Sequence, residues 1–269
     1  MRLLDLIELG GVNLGDFKIH LATGTNPIPL EAFFDGNFRL WQEDQTKKNF
    51  QCTHILSLIH LDNSRWLFAG VYEVLGCDTR TTGLPTLYKY TTRELDGLSH
   101  LTGKAIVGFN RPGRASYLRD KKYADQLLVI AIREQRMTIG NFPGFNGVLL
   151  SHRMLKTLVR ESNQSWQTVL SNVSGIYLIT DTATGKHYVG SAYGGEGIWQ
   201  RWTAYAKTGH GGNKGLRDLL RAEGKEHSQF FQFSLLEICD LNSSDDYVIT
   251  RETHWKNVLQ SRKFGLNKN

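Results

Sequence analysis

Residues 174–194 read SGIYLITDTATGKHYVGSAYG. Two apolar runs, 175–181 and 187–192, flank the turn signal TATGK, so they read as strands. A connection this short makes them antiparallel neighbours. A strand pair with only a core face to bury has no need of phenols, yet Tyr177 closes Gly-Ile-Tyr and Tyr188 opens Tyr-Val-Gly.

Working outward, the residues downstream predict a helix over 197–208, a glycine-rich loop (GHGGN), a helix over 214–223, a strand over 230–239 and a helix from about 244 to 261. Upstream, residues 151–172 place Met154, Leu155, Leu158, Val159 and Trp166 at helical spacing, with Ser151 as a cap. Residues 1–150 read mainly as strands (FKIHLA, THILSLIHL, RWLFAGVYEV, KAIVGF, LLVIAI), punctuated by turn signals such as DNS, GCDTRTTG and NRPGR. The expected fold is α+β: a β-rich, barrel-like domain over 1–150, a helical linker over 151–172, and a small α/β sandwich with a mixed or antiparallel sheet over 173–269.

The 269 residues carry 32 lysines and arginines against 26 acids, a net charge of +6 that suits a phosphate-bearing partner. Three scattered cysteines without a CxxC pair argue against a disulfide framework and a structural zinc site. The opening MRLLDLIELGG is too short and acidic for a secretory signal, and no run reaches the roughly 20 apolar residues of a membrane span. A cytoplasmic protein without a membrane partner is expected.

Gly175-Ile176-Tyr177 followed by Tyr188-Val189-Gly190 resembles the paired motif of the GIY-YIG nuclease superfamily. The downstream residues strengthen the likeness by their order: Arg201 on an aromatic-rich helix, Tyr205 one turn later, Glu252 on the last helix, and Asn267 in Gly-Leu-Asn. The resemblance covers roughly 172–269. It implies an endonuclease that hydrolyses the phosphodiesters of double-stranded DNA with Mg²⁺ or Mn²⁺. It also implies that Glu252 holds the metal, Arg201 meets the phosphate, and a tyrosine serves as general base. Tyr177 is the favoured base, with Tyr188 orienting water or phosphate and Asn267 orienting the groups around the site. Val189 replaces the family's isoleucine, and Tyr205 stands where many members carry histidine.

The chemistry needs these residue types. Hydrolysis requires an activated water and positive charge on the developing phosphorane oxygens. A carboxylate suits Mg²⁺, and a guanidinium fork suits phosphate. A phenol with a pKa of about 10 needs nearby cations to act as a base. Lys186, two residues before Tyr188 on the same strand face, is the candidate, as is the metal.

Lys207, His210, Lys214, Arg217 and Arg221 surround a glycine-rich loop and a helix start, and read as a DNA-backbone contact. In the first domain the loop 109–122 mixes Arg111, Arg114, Arg119, Lys121 and Lys122 with aromatics, a second candidate DNA surface. Trp41, Trp66, Phe68 and Tyr72 are candidates for a pocket that stacks a flipped, modified base; the alternative is that they fill a core. The general look is similar to PUA-like modules. The joint reading is a restriction or phage-defence endonuclease with an N-terminal recognition domain, acting on ordinary or modified DNA, and as a homodimer if both strands are cut. The competing readings are a non-catalytic nucleic-acid-binding protein that keeps the fold, and an RNA-directed protein.

Overall fold

The structure, a computed structural model, describes residues 1–24, 28–80, 87–119 and 121–268. The chain forms two compact units, Met1–Thr138 and Ile139–Asn269. No helix among the described residues is long and apolar enough to cross a membrane, and none of their His, Cys, Asp or Glu side chains cluster in threes.

The first unit runs α1 (Leu3–Leu9), β1 (Phe17–Ala22), α2 (Pro29–Phe34), α3 (Phe38–Glu43), β2 (Asp44–Gln45), β3 (His54–Asp62), β4 (Arg65–Arg80), β5 (Leu87–Glu94), β6 (Ala105–Gly108), β7 (Tyr117–Leu118), α4 (Lys121–Ala124) and β8 (Leu128–Ile132). The sheet follows the path β2-β5-β4-β3-β1-β7, with β6 and β8 branching from β4. It curls until its end strands meet through a side chain: the Tyr117 hydroxyl on β7 donates to Gln45 Oε1 on β2 at 2.6 Å. The result is a half-barrel linked by side chains at its ends. Both faces are covered, so β3 is buried on both sides from Ile55 to Ile59: Leu56 and Leu58 join one core cluster, Ile55 and Ile59 the other. Of the expected turn GCDTRTTG, residues 76–80 continue β4 and 81–83 lie outside the described residues. Asp120 and the Lys121 side chain lie outside them as well.

The second unit adds β9 (Leu149–Ser151), α5 (His152–Arg160), α6 (Gln164–Ser171), β10 (Ser174–Asp181), β11 (Lys186–Ala192), α7 (Gly197–Thr208), α8 (Lys214–Glu223), β12 (Phe231–Cys239) and α9 (Asp245–Val258). Its sheet is antiparallel with order β11-β10-β12-β9, leaving β11 at one edge. The Ser151 hydroxyl accepts from the Met154 amide and starts α5 as expected. The unit begins earlier than the expected boundary near 150. Leu149–Ser151 pairs with Gln232–Ser234, and the Trp166 indole on α6 donates to the Gly140 carbonyl at 3.0 Å. The segment expected as a linker is therefore part of this unit: the His152 ring on α5 stacks on Phe233 of the sheet.

Candidate active site

Strand alternation sets the site. Tyr177 pairs with Gly190 and Ile179 with Tyr188 across the hairpin, so both phenols leave the same face of the sheet. That face packs on α7, where the Tyr177 ring meets Trp202 and Tyr205 edge-on. The opposite face carries Ile176 and Val189 against Val248 of α9. Glycine is required at 190 because the Tyr177 ring lies directly over its Cα, where a Cβ would overlap the phenol. The motif thus pairs a large ring with the gap that receives it.

The polar tips on this face form one relay. Arg201 Nε donates to the Tyr177 oxygen at 3.1 Å, and its Nη1 donates to the Gly211 carbonyl at 2.9 Å. The Tyr177 and Tyr205 hydroxyls bond each other at 2.9 Å. Asn213 Nδ2 donates to Tyr205, and Asn213 Oδ1 accepts from the Tyr188 hydroxyl at 2.6 Å. Burial raises the pKa of Tyr177, Tyr188 and Tyr205. Burial works against the charge of Arg201, but the oxygens of Tyr177 and Tyr205 more than offset it and raise its pKa. The free protein therefore holds neutral phenols around one fixed cation.

Tyr188, Ser191, Gln200, Arg201, Asn213 and Glu252 line a cavity of about 490 Å³. It opens at the edge strand β11, so α7 from one face and α9 from the other both reach it. Glu252 Oε2 accepts from the Ser191 hydroxyl, and Oε1 pairs with Lys256 Nζ at 2.7 Å, one helical turn on. Glu252 is the one carboxylate in this lining.

Tyr188, Arg201 and Glu252 thus meet in one cavity, while Tyr177 and Tyr205 stand behind it, fully buried and shaping it through the relay. Lys186 departs from expectation: it is exposed at the start of β11, two strand rises from Tyr188 towards the turn, and takes no part in the relay. Asn267 acts on backbone: its side-chain amide donates to the Val189 carbonyl at 2.8 Å and accepts from the Val189 amide at 2.9 Å, like one more rung on the edge strand. Asn213, Ser191 and Lys256 escape the sequence reading. The one signal for Asn213 is its place at the end of GHGGN before a helix.

Lys207, His210, Arg217 and Arg221 line a second hollow, and Lys214 is exposed outside it. In the first unit, Arg111 is spent on its own loop, donating to the carbonyls of Arg114 and Ala115 and to Ser116 Oγ; Arg114 is exposed. The four candidate base-stacking residues do not share a pocket. Trp66 and Phe68 are buried in one cluster, whereas Tyr72 is buried in the other with Trp41 against it. A bulge is the reason: Ser57 pairs with Gly70 but Leu58 with Phe68, so the extra residue reverses the faces of β4 before Tyr72.

No family model matches the sequence, and no curated protein does. Among solved structures, the chain is similar to the catalytic domain of the homing endonuclease I-TevI, with 32% identity over 36% of this chain and 98% of that one, at a TM-score of 0.29. It is likewise similar to the catalytic domain of the intron endonuclease I-TevI in a point-mutant form, with 29% identity over 36% of this chain and 94% of that one, at a TM-score of 0.29.

Proposed function

We propose that the second unit is a nuclease of the GIY-YIG kind, hydrolysing phosphodiesters of double-stranded DNA with Mg²⁺ or Mn²⁺. The observation that carries this reading is the meeting of Arg201, Tyr188 and Glu252 in one cavity at the open edge of the sheet. Arg201, anchored by Tyr177 and Gly211, turns its remaining donors to the phosphate and stabilises the charge that builds on its oxygens. Tyr188 borders the cavity and Tyr177 does not; once ionised under the charge of Arg201 and a bound cation, Tyr188 would take the proton of the attacking water. Asn213 accepts from its hydroxyl and fixes its direction.

The donor set suits a hard cation bound partly by substrate: one carboxylate, Glu252, beside the Ser191 hydroxyl and the Asn213 carboxamide. Bound there with phosphate, such an ion supplies charge neutralisation and a more acidic water. Lys256 and Ser191 hold the carboxylate in place.

In this reading the first unit selects the target, ordinary or modified, in a restriction or phage-defence role. One cavity cuts one strand, so a double-strand break takes two copies or two visits. A second reading, binding of nucleic acid without cleavage, draws on the ion pair that already occupies Glu252. Supercoiled plasmid, unmodified and cytosine-modified, incubated with Mg²⁺ or Mn²⁺ separates the two. Nicking that is lost in Glu252→Gln and Tyr188→Phe supports the nuclease. Tight binding with neither DNA cut overturns it in favour of the second reading.

A further inference from the structure

A hollow of about 830 Å³, larger than the candidate active site, lies elsewhere in the second unit. Four elements give it cations: Lys156 from α5, Lys207 from α7, Arg217 and Arg221 from α8, and Lys225 from the short helical turn Lys225–Phe230. Glu226 is the one carboxylate in the lining, and Asp218 reaches Arg221 only at 3.9 Å. Lys156, Lys207, Arg217 and Lys225 have no ion-pair partner among the described residues. Burial lowers the His210 pKa, and Arg217 and Arg221 act in the same direction. Unneutralised like charges gathered in a concave surface cost folding energy unless an anion repays it.

The hollow is joined to the active site by the chain itself. Ala204 lines the cavity and Ala206 and Lys207 line the hollow, all within the last turns of α7. The loop after α7 gives Asn213 to the first and His210 to the second. His152 Nε2 in the wall of the hollow lies 3.1 Å from the carbonyl of Tyr205, a member of the relay.

We propose that this hollow holds the sugar–phosphate backbone of a nucleic acid, apart from the phosphodiester that enters at Arg201; the identity of that strand rests on the nuclease reading. The site extends the basic stretch legible in the sequence to Lys225 at its end and to Lys156, far upstream on α5. A sequence-independent contact is what such a surface offers, because exposed lysines and arginines meet phosphates and read no base edges.

The test uses the full chain, without divalent metal, and a labelled DNA duplex of about 30 base pairs titrated by anisotropy over a range of salt. The double variant Lys156→Ala, Lys225→Ala is expected to bind about tenfold more weakly or worse near 0.15 M salt, with the slope of log K against log salt shallower by about 1.8 for two lost contacts. Lys156→Arg with Lys225→Arg should restore both. An unchanged slope and affinity in the alanine variant overturns the proposal. So does weakened binding of inorganic tripolyphosphate with duplex binding intact, which makes the hollow a site for free polyphosphate. A shallower slope in a protein that cuts nothing keeps the hollow and sinks the nuclease reading; cutting with an unchanged slope does the reverse.

Discussion

Both units bury aromatic side chains with polar tips, and they use those tips differently. In the first unit the tips of Trp66 and Tyr72 end on backbone: the Trp66 indole donates to the Phe109 carbonyl, and the Tyr72 hydroxyl to the Ala69 carbonyl. In the second unit the tips of Tyr177, Tyr205 and Tyr188 are joined to one another through Asn213 and end on Arg201. A tip that bonds backbone completes a core. Tips that bond each other beside a charge build an environment in which that charge is held ready. Aromatic content alone does not separate the two cases; the partners do.

Two arginines give the sharpest way to break this comparison. Arg201 and Arg111 both donate to backbone carbonyls, but only Arg201 lines the cavity. Arg201→Ala should lower the nicking rate on the order of 10²–10³-fold, the usual loss when a donor to a developing oxyanion is removed. Arg111→Ala should leave nicking at the wild-type rate, and plasmid assays on both proteins check it.

Two glycines come next. Gly190→Ala drives a methyl into the buried Tyr177 phenol, with an expected loss of about 1–3 kcal/mol in urea unfolding. Gly76 on β4 has open space where its Cβ would go, so Gly76→Ala should stay within about 0.5 kcal/mol of wild type.

The third test is acid. His20 is buried in the first unit between Trp41 and Tyr117, and burial pushes its pKa down to about 4, although the contact with Gln42 works the other way. The unfolded imidazole titrates near 6.5, so between those values the unfolded chain binds more protons. Stability from this group is complete above about pH 6.5 and is lost as pH falls towards 4, about 2 kcal/mol by pH 5. Urea melts at pH 7 and pH 5 should show that loss, and a flatter response in His20→Gln. The pKa of His152 in the second unit is lowered by burial as well, so both units weaken with the same sign.

The smallest effect sharpens the assignment of the first unit. Tyr72→Phe removes one buried hydrogen bond and should cost about 1 kcal/mol while leaving DNA affinity unchanged. A loss of affinity without a loss of stability would return Tyr72 to a reading pocket.

The second unit was legible because its signals are local. The helix over 197–208 ends at Gly209, whose positive φ of 76° takes a left-handed cap that the sequence announces by glycine. The hairpin was fixed by its short turn and its alternation. What stayed hidden needed tertiary geometry. Ser191 faces Glu252 only because β11 is an edge strand, and Lys256 matters only once Glu252 is known to be held. In the first unit, Trp66, Phe68 and Tyr72 stand at even spacing, which on a regular strand gives one face, and the bulge beside Gly70 breaks that regularity. A glycine inside an apolar strand was the available warning.

The bond between Asn267 and Val189 has a consequence for when the site comes into being. The two residues are 78 positions apart, and the amide clamps the strand between Tyr188 and Gly190 from its outer side. The hairpin can form within itself early, since its contacts are local. Its outer edge is locked only after α9 has docked and the segment beyond it has returned to β11, a closure that carries the entropy of a long loop. The cavity is therefore expected to acquire its final shape only after the hairpin has formed.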